Sequence, residues 1–228
     1  MAVGKIHVGL AQLQRTYTGE GHPDMKVTII GAGNVGKALG TSISRAGHDV
    51  TITAKHPEHA QKAAMEIGAH PVDSSAEAVS DADVVILAVP YVGAADEVSG
   101  EIRDRVAGKT IIDVTNPMKP DYSGLATEGT SAAEEFQKLL PEAKLVKAFN
   151  TIFASNQAHP SGDIDGYVAA DDESAKQQVI SLVESIGFKP VDVGPLRAAR
   201  YLEGMAVINI GLNAQNGWDW TSAWKLER

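Results

Sequence analysis

The feature that most constrains this chain is the passage Val27-Thr28-Ile29-Ile30-Gly31-Ala32-Gly33-Asn34-Val35-Gly36. Four β-branched residues in a row favour a strand, and three glycines at Gly31, Gly33 and Gly36 then turn the chain into a segment with helical spacing. Each glycine has a separate physical task. Gly31 permits the tight turn, Gly33 lets the backbone come close to a pyrophosphate, and Gly36 lets the helix pack on the strand. Asn34 and Val35 open that helix, where unpaired N–H groups and the positive end of the helix dipole suit phosphate oxygens. A dinucleotide cradle is the expectation.

Strand-like runs alternate with helical ones after this point. Lys26–Ile30, Asp49–Thr53, a weak run at 69–72, Asp83–Val89, Thr110–Val114 and Lys144–Ala148 read as strands. Asn34–Arg45 and Pro57–Ile67 read as helices, with Pro57 suited to a first turn. Ser74 with Glu77 forms a capping box, and Gly47 and Gly68 stand where helices must stop. A further unit follows, with a strand at Tyr167–Ala170, a helix at Asp172–Ile186 and a strand at Phe188–Val193. The last helix is expected from Pro195 to Asn213, and its Gly204 and Gly211 call for a close neighbour. The fold class is therefore α/β: a Rossmann-type doubly wound parallel sheet with a small carboxy-terminal α/β extension and a final helix. Residues 25–148 are expected to form the dinucleotide-binding domain, and 149–228 the extension that completes a cleft for the second reactant. Residues 1–24 lack the apolar stretch and cleavage site of a secretory signal and are read as an extension outside the fold.

Composition removes several function classes. With 20 basic and 29 acidic residues the formal net charge is -9, the wrong sign for a surface that grips nucleic acid. There is no cysteine, so disulfides, thiolate metal sites and thiol nucleophiles are absent. No apolar run approaches the roughly 20 residues of a membrane helix, and the cytoplasm is the expected compartment.

The choice of dinucleotide is written at the end of the second strand. NAD sites place a carboxylate there for the ribose hydroxyls, whereas this chain continues Thr53-Ala54-Lys55-His56. Lys55 and His56, with His59 one turn later, suit the 2′-phosphate of NADP instead. Ligands of open parallel sheets lie beyond the carboxyl ends of the strands. Val89-Pro90 after the fourth strand and Thr115-Asn116-Pro117 after the fifth are thus expected beside the nicotinamide.

With GAGNVGKALG at the front, LVKAFNTI at 145–152 and DDESAKQQVISLVESIGFKPVDVGPLRAARYLE at 171–203, the chain resembles the reductase family that links NADP to the deazaflavin coenzyme F-420. It also resembles the cytosolic oxidoreductase domain of the membrane ferric reductases. The likeness runs from about Met25 to Trp218, and the turn Gly194-Pro195-Leu196 followed by Arg200 and Glu203 is its most specific part. The resemblance implies NADP and a second cofactor, F-420 or flavin, facing each other across a cleft. Asn150 and Ile152 would floor the acceptor pocket, with Met205 opposite on the last helix. Two positions depart from the family pattern. Asn150 stands where F-420 enzymes tend to carry histidine, as in flavin-using relatives, and Ala54 stands where a serine often helps hold the 2′-phosphate.

Hydride transfer between two carriers requires no acid, base or nucleophile from the protein, and no catalytic residue is assigned. The cluster Asp171-Asp172-Glu173 reads as a helix start, not a metal site. Two other readings stay open: an NADPH-dependent flavin or ferric-chelate reductase, and a non-enzymatic protein that senses NADPH. Trp218, Trp220 and Trp224 are candidates to close the cleft or to bury a contact in a homodimer.

Overall fold

The computed structural model describes residues 24–227, and the expected extension at 1–24 lies almost wholly outside them. Eight strands form one sheet: β1 (Lys26–Ile30), β2 (Asp49–Thr53), β3 (His70–Pro71), β4 (Val84–Leu87), β5 (Thr110–Asp113), β6 (Lys144–Ala148), β7 (Asp165–Ala170) and β8 (Lys189–Asp192). Their spatial order is β3-β2-β1-β4-β5-β6-β7-β8. All neighbours are parallel except β6 and β7, which pair antiparallel through Val146 with Ala170, Lys147 with Ala169 and Ala148 with Val168. The Rossmann-type α/β reading is borne out, with that one reversal of direction. The later strands continue the same sheet.

The central strands show why this sheet needs helices on both faces. Val84–Leu87 is buried at every position, as expected of a parallel strand covered on two sides. Alternate residues feed two cores: Ile29, Ile86 and Ile112 pack with Leu39, Ile43 and Val179 on one face, and Ile30, Val85, Leu87 and Ile111 pack with Val98, Ile102 and Phe136 on the other. The first core is roofed by α1 (Asn34–Arg45), α2 (Pro57–Ile67) and α7 (Glu173–Ser185). The second lies under α4 (Tyr91–Ile102) and α5 (Ala132–Leu139), joined by Val79 just after the short helix α3 (Ser75–Ala78).

Several local expectations are met. Ser74 accepts a hydrogen bond from the Glu77 N–H, and Gly68 closes α2 with φ 71°. Asp172 caps α7 by accepting from Ala175 N–H at 2.9 Å. It also pairs with Lys144 at 3.3 Å. Bonds from Ser174 and Ala175 hold its carboxyl down at about 2. Asp171 accepts from Leu196 N–H at 2.9 Å, fixing the turn into the last helix. That helix, α8, spans Ala199–Asn216 and is preceded by a 3-10 turn at Leu196–Ala198. The expectation of a close neighbour at Gly204 and Gly211 is corrected: a methyl group built at either would meet nothing within 4 Å among the described residues.

Candidate functional site

Strand order reverses direction between β1 and β4, and a crevice opens there beyond their carboxyl ends. A cavity of about 560 Å³ occupies it, walled by Gly31–Gly33 after β1, Ala54–His56 after β2, Ala88–Pro90 after β4, and Val92, Gly93, Glu97 and Glu101 on α4. Gly31 N–H donates to the Thr53 carbonyl at 2.8 Å, tying the glycine turn to the end of β2. The backbone of Gly31 has φ +118°, and a side chain there would strike the Ala88 carbonyl at 2.3 Å. At Gly36 the clash would be with the Gly31 carbonyl at 1.9 Å, whereas at Gly33 a methyl group would meet nothing within 4 Å among the described residues. Gly31 and Gly36 are thus required by the protein's own packing, while Gly33 faces open space. Gly33 is also the cap of α1, and among the described residues no side chain forms a capping hydrogen bond at that helix terminus. Its first N–H groups remain for an anion. These features fit a pyrophosphate.

At the far end of this cavity Lys55, His56 and His59 gather, the two imidazoles meeting edge to face at 5.5 Å. Lys55 Nζ is held by Glu97 of α4, with both carboxylate oxygens at 2.8 Å. α4 is interrupted at Val92 and Gly93, where Gly93 has φ 91°, one turn before Glu97. A 2′-phosphate at Lys55 must therefore compete with a carboxylate. Both partners are largely exposed, and such pairs contribute roughly 0.2–1 kcal/mol. Glu97→Gln is accordingly expected to tighten NADPH binding by no more than about fivefold. Lys55→Asp, which replaces a positive charge by a negative one at this end of the cavity, should weaken it at least tenfold. NADH binding, measured in parallel by titration, should barely change in either variant.

A second cavity of about 100 Å³ is lined by Val35, Val114, Asn116, Asn150, Ile152, Phe153, Gln157 and residues of α8. The side chains of Asn116 and Asn150 lock together: Asn116 Nδ2 donates to the Asn150 carbonyl and Asn150 Nδ2 donates to Asn116 Oδ1, both at 2.9 Å. The unusual backbone of Phe149, with φ +62°, delivers Asn150 to this position. Phe153 meets Trp220 edge to face at 5.5 Å, so the aromatic tail folds back beside this cavity. α6 (Ala154–Ala158) holds the tail, with Ser155 and Asn156 donating to the carbonyls of Trp220 and Thr221.

The expected residues therefore divide. Gly31, Gly33, Lys55, His56, Val89 and Pro90 share the large cavity, and Val35, Asn116, Asn150 and Ile152 share the small one. Asn34, Gly36, Thr115 and Pro117 line neither, although Asn34 opens α1 and Thr115 precedes Asn116. Met205 is placed elsewhere, packed with Tyr167, Ala169 and Leu202. From α8 it is Ala206, Asn209 and Ile210 that reach the small cavity. Sequence reasoning missed Glu97, Gln157 and Asn209.

Residues 26–117 match the family described as NADP oxidoreductase, coenzyme F-420-dependent. Over those residues, fewer than half of the chain, it is similar to that family. It is also 31% identical over 182 residues to the rat metalloreductase STEAP3, covering 79% of this chain and 36% of the relative. Human metalloreductase STEAP2 is 30% identical over 186 residues, with 78% and 35% covered. The chain thus spans about a third of the length of these curated relatives. A solved structure from Arthrobacter sp., bearing the name of an F-420-dependent NADP reductase, superposes with a TM-score of 0.81 at 26% identity, covering 90% of this chain and 100% of that one. No helix among the described residues is long and apolar enough to cross a membrane.

Proposed function

We propose that the chain transfers a hydride between NADP(H) and a deazaflavin coenzyme of the F-420 type. The observation that carries this reading is the open space at Gly33, above an uncapped helix terminus and in one cavity with Lys55, His56 and His59. In this reading the adenosine half lies along Lys55 and His56, and the pyrophosphate over Gly31, Gly33, Asn34 and Val35. The nicotinamide lies toward Val89, Pro90 and the 115–117 segment. When bound, the dinucleotide supplies the hydride and the second carrier accepts it. The protein's part is to align the two rings at roughly 3–3.5 Å and exclude water. Asn116, Asn150, Ile152 and α8 form the wall on the acceptor side.

A second reading keeps NADPH but makes the acceptor a flavin or a ferric chelate. It is favoured by the metalloreductase relatives and by asparagine at position 150. We also infer a homodimer formed through the exposed apolar residues Tyr201, Ile208 and Leu212 of α8, and a cytoplasmic location where reduced NADP is available. Steady-state assays with NADPH against F-420, FMN, FAD and ferric citrate decide between acceptors. The first reading expects F-420 to give the highest kcat/KM. Faster reduction of FMN or FAD supports the second, and tight NADPH binding without any turnover would leave only a sensor.

A further inference from the structure

Lys147 sits in the middle of β6, in the apolar run Leu145-Val146-Lys147-Ala148, and its side chain is fully buried. All three ammonium protons are used: Nζ donates to Asp113 Oδ2 at 2.8 Å, to Glu203 Oε1 at 2.9 Å and to the Thr115 carbonyl at 2.6 Å. Asp113 Oδ1 in turn accepts from Thr115 N–H at 2.8 Å. Thr115 is therefore gripped through both of its backbone polar groups. Glu203 Oε1 also accepts from Ala132 N–H, the first residue of α5, at 2.9 Å. One lysine thus joins β5, β6, the loop after β5, the start of α5 and α8.

Stability alone does not account for this arrangement. Removing a lysine and two carboxylates from water is costly, and a well-packed apolar trio can serve a core as well or better. Directed bonds give something that apolar packing does not, namely a fixed geometry between the elements they join. Both walls of the small cavity meet at Lys147. On one side, Thr115 leads directly to Asn116, which is locked to Asn150. On the other, Glu203 stands three residues before Ala206, the first residue that α8 contributes to the cavity.

We propose that Lys147, Asp113 and Glu203 are positioning residues for the nicotinamide half of the dinucleotide. They touch no ligand and act through the backbone of Thr115, the Asn116–Asn150 pair and the register of α8. This rests on the reading above, in which the adenosine half occupies the large cavity and the nicotinamide lies toward the 115–117 segment. The cluster sets the part of the affinity that the nicotinamide adds and leaves the adenosine half alone.

The test uses two ligands that share the adenosine half, 2′,5′-ADP and NADPH, titrated by calorimetry into the full chain and into Glu203→Gln and Lys147→Met. Thermal melts report whether each variant is folded. The expected result is 2′,5′-ADP affinity within about twofold of the parent, as for a distant independent site. NADPH affinity should fall by about tenfold or more, with loss of the fluorescence gain of bound NADPH. Parallel losses for both ligands, or no loss for either, overturn the proposal while leaving the cavity assignment intact. A parent protein that binds neither ligand overturns the cavity assignment and the proposal together. If Lys147→Met does not fold, Glu203→Gln decides alone, because it keeps the shape while replacing the charge-assisted bond from Lys147 by a weaker neutral one.

Discussion

Gly36→Ala is expected to abolish NADPH binding and to destabilise the fold, whereas Gly33→Ala is expected to abolish binding alone. The difference follows from what each new methyl group meets. At Gly36 it would fall 1.9 Å from the Gly31 carbonyl and 3.3 Å from Ile29 Cγ2. Neither the turn nor the helix can yield without losing the Gly31-to-Thr53 hydrogen bond or the α1 packing. Overpacking of this kind costs typically 1–3 kcal/mol, occasionally more, and here it also displaces the cradle. At Gly33 the methyl meets no atom of the described residues within 4 Å, and φ is an ordinary -78°. Its cost to the folded chain should stay below about 1 kcal/mol. It nevertheless projects into the space where a pyrophosphate must come close. Chemical denaturation and NADPH titration on the two variants should separate stability from binding. Equal loss of stability in both would show that the loop is held differently.

The second large effect concerns the buried charges. Lys147→Met removes the ammonium and strands Asp113 and Glu203 without it, and breaking a buried pair in this way costs about 3–5 kcal/mol. That is a large share of the stability of a typical domain, roughly 5–15 kcal/mol. The pH dependence carries an independent signature. Burial pushes the Glu203 carboxyl up, more than Lys147 pulls it back. Above the ordinary glutamate range the folded chain therefore still binds a proton that the unfolded chain has released. By linkage its contribution makes stability fall as pH rises from that range through the raised value. Lys147 is displaced upward despite burial, because Asp113 and Glu203 favour its charged form. Its contribution is present at neutral pH and is lost only as pH climbs through its own raised value, in the alkaline range. Glu203→Gln should flatten the profile on the weakly acid side, measured by melting temperature across about pH 4–8. An unchanged slope would mean that Glu203 is ionised throughout.

These two sites differ in how visible they are in the sequence. The glycine cradle is local: strand, turn and helix follow within about a dozen residues, so spacing alone discloses it. The fold class is equally legible, because β-branched runs and helical spacing alternate along the chain. The Lys147 cluster is not local. Its partners lie 34 and 56 residues away, and only the oddity of a lysine inside an apolar strand hints at it. Glu97 was hidden for a similar reason, since its partner Lys55 lies 42 residues away. Along α8, apolar residues mislead. Ile208 and Leu212 are exposed, whereas Asn209 and Asn213 are buried and bonded to each other and to Ser222 of the tail. A hydrophobic stripe therefore gives the wrong rotation for this helix, and Met205 was expected where Ala206 and Asn209 stand. The reversed strand β7 escaped notice because antiparallel and parallel neighbours have the same alternation of side chains.

The most direct test of the account follows the hydride itself. NADPH carrying deuterium at both positions of nicotinamide C4 is mixed with oxidised F-420 and the protein, and the reduced deazaflavin is examined by mass spectrometry and NMR. Deazaflavin accepts at carbon, so a transferred deuterium does not wash out. The account predicts one deuterium on the deazaflavin ring, delivered faster from NADPH than from equally labelled NADH. Reduced deazaflavin without label, or no reduction while NADPH is demonstrably bound, would contradict direct transfer between the two carriers.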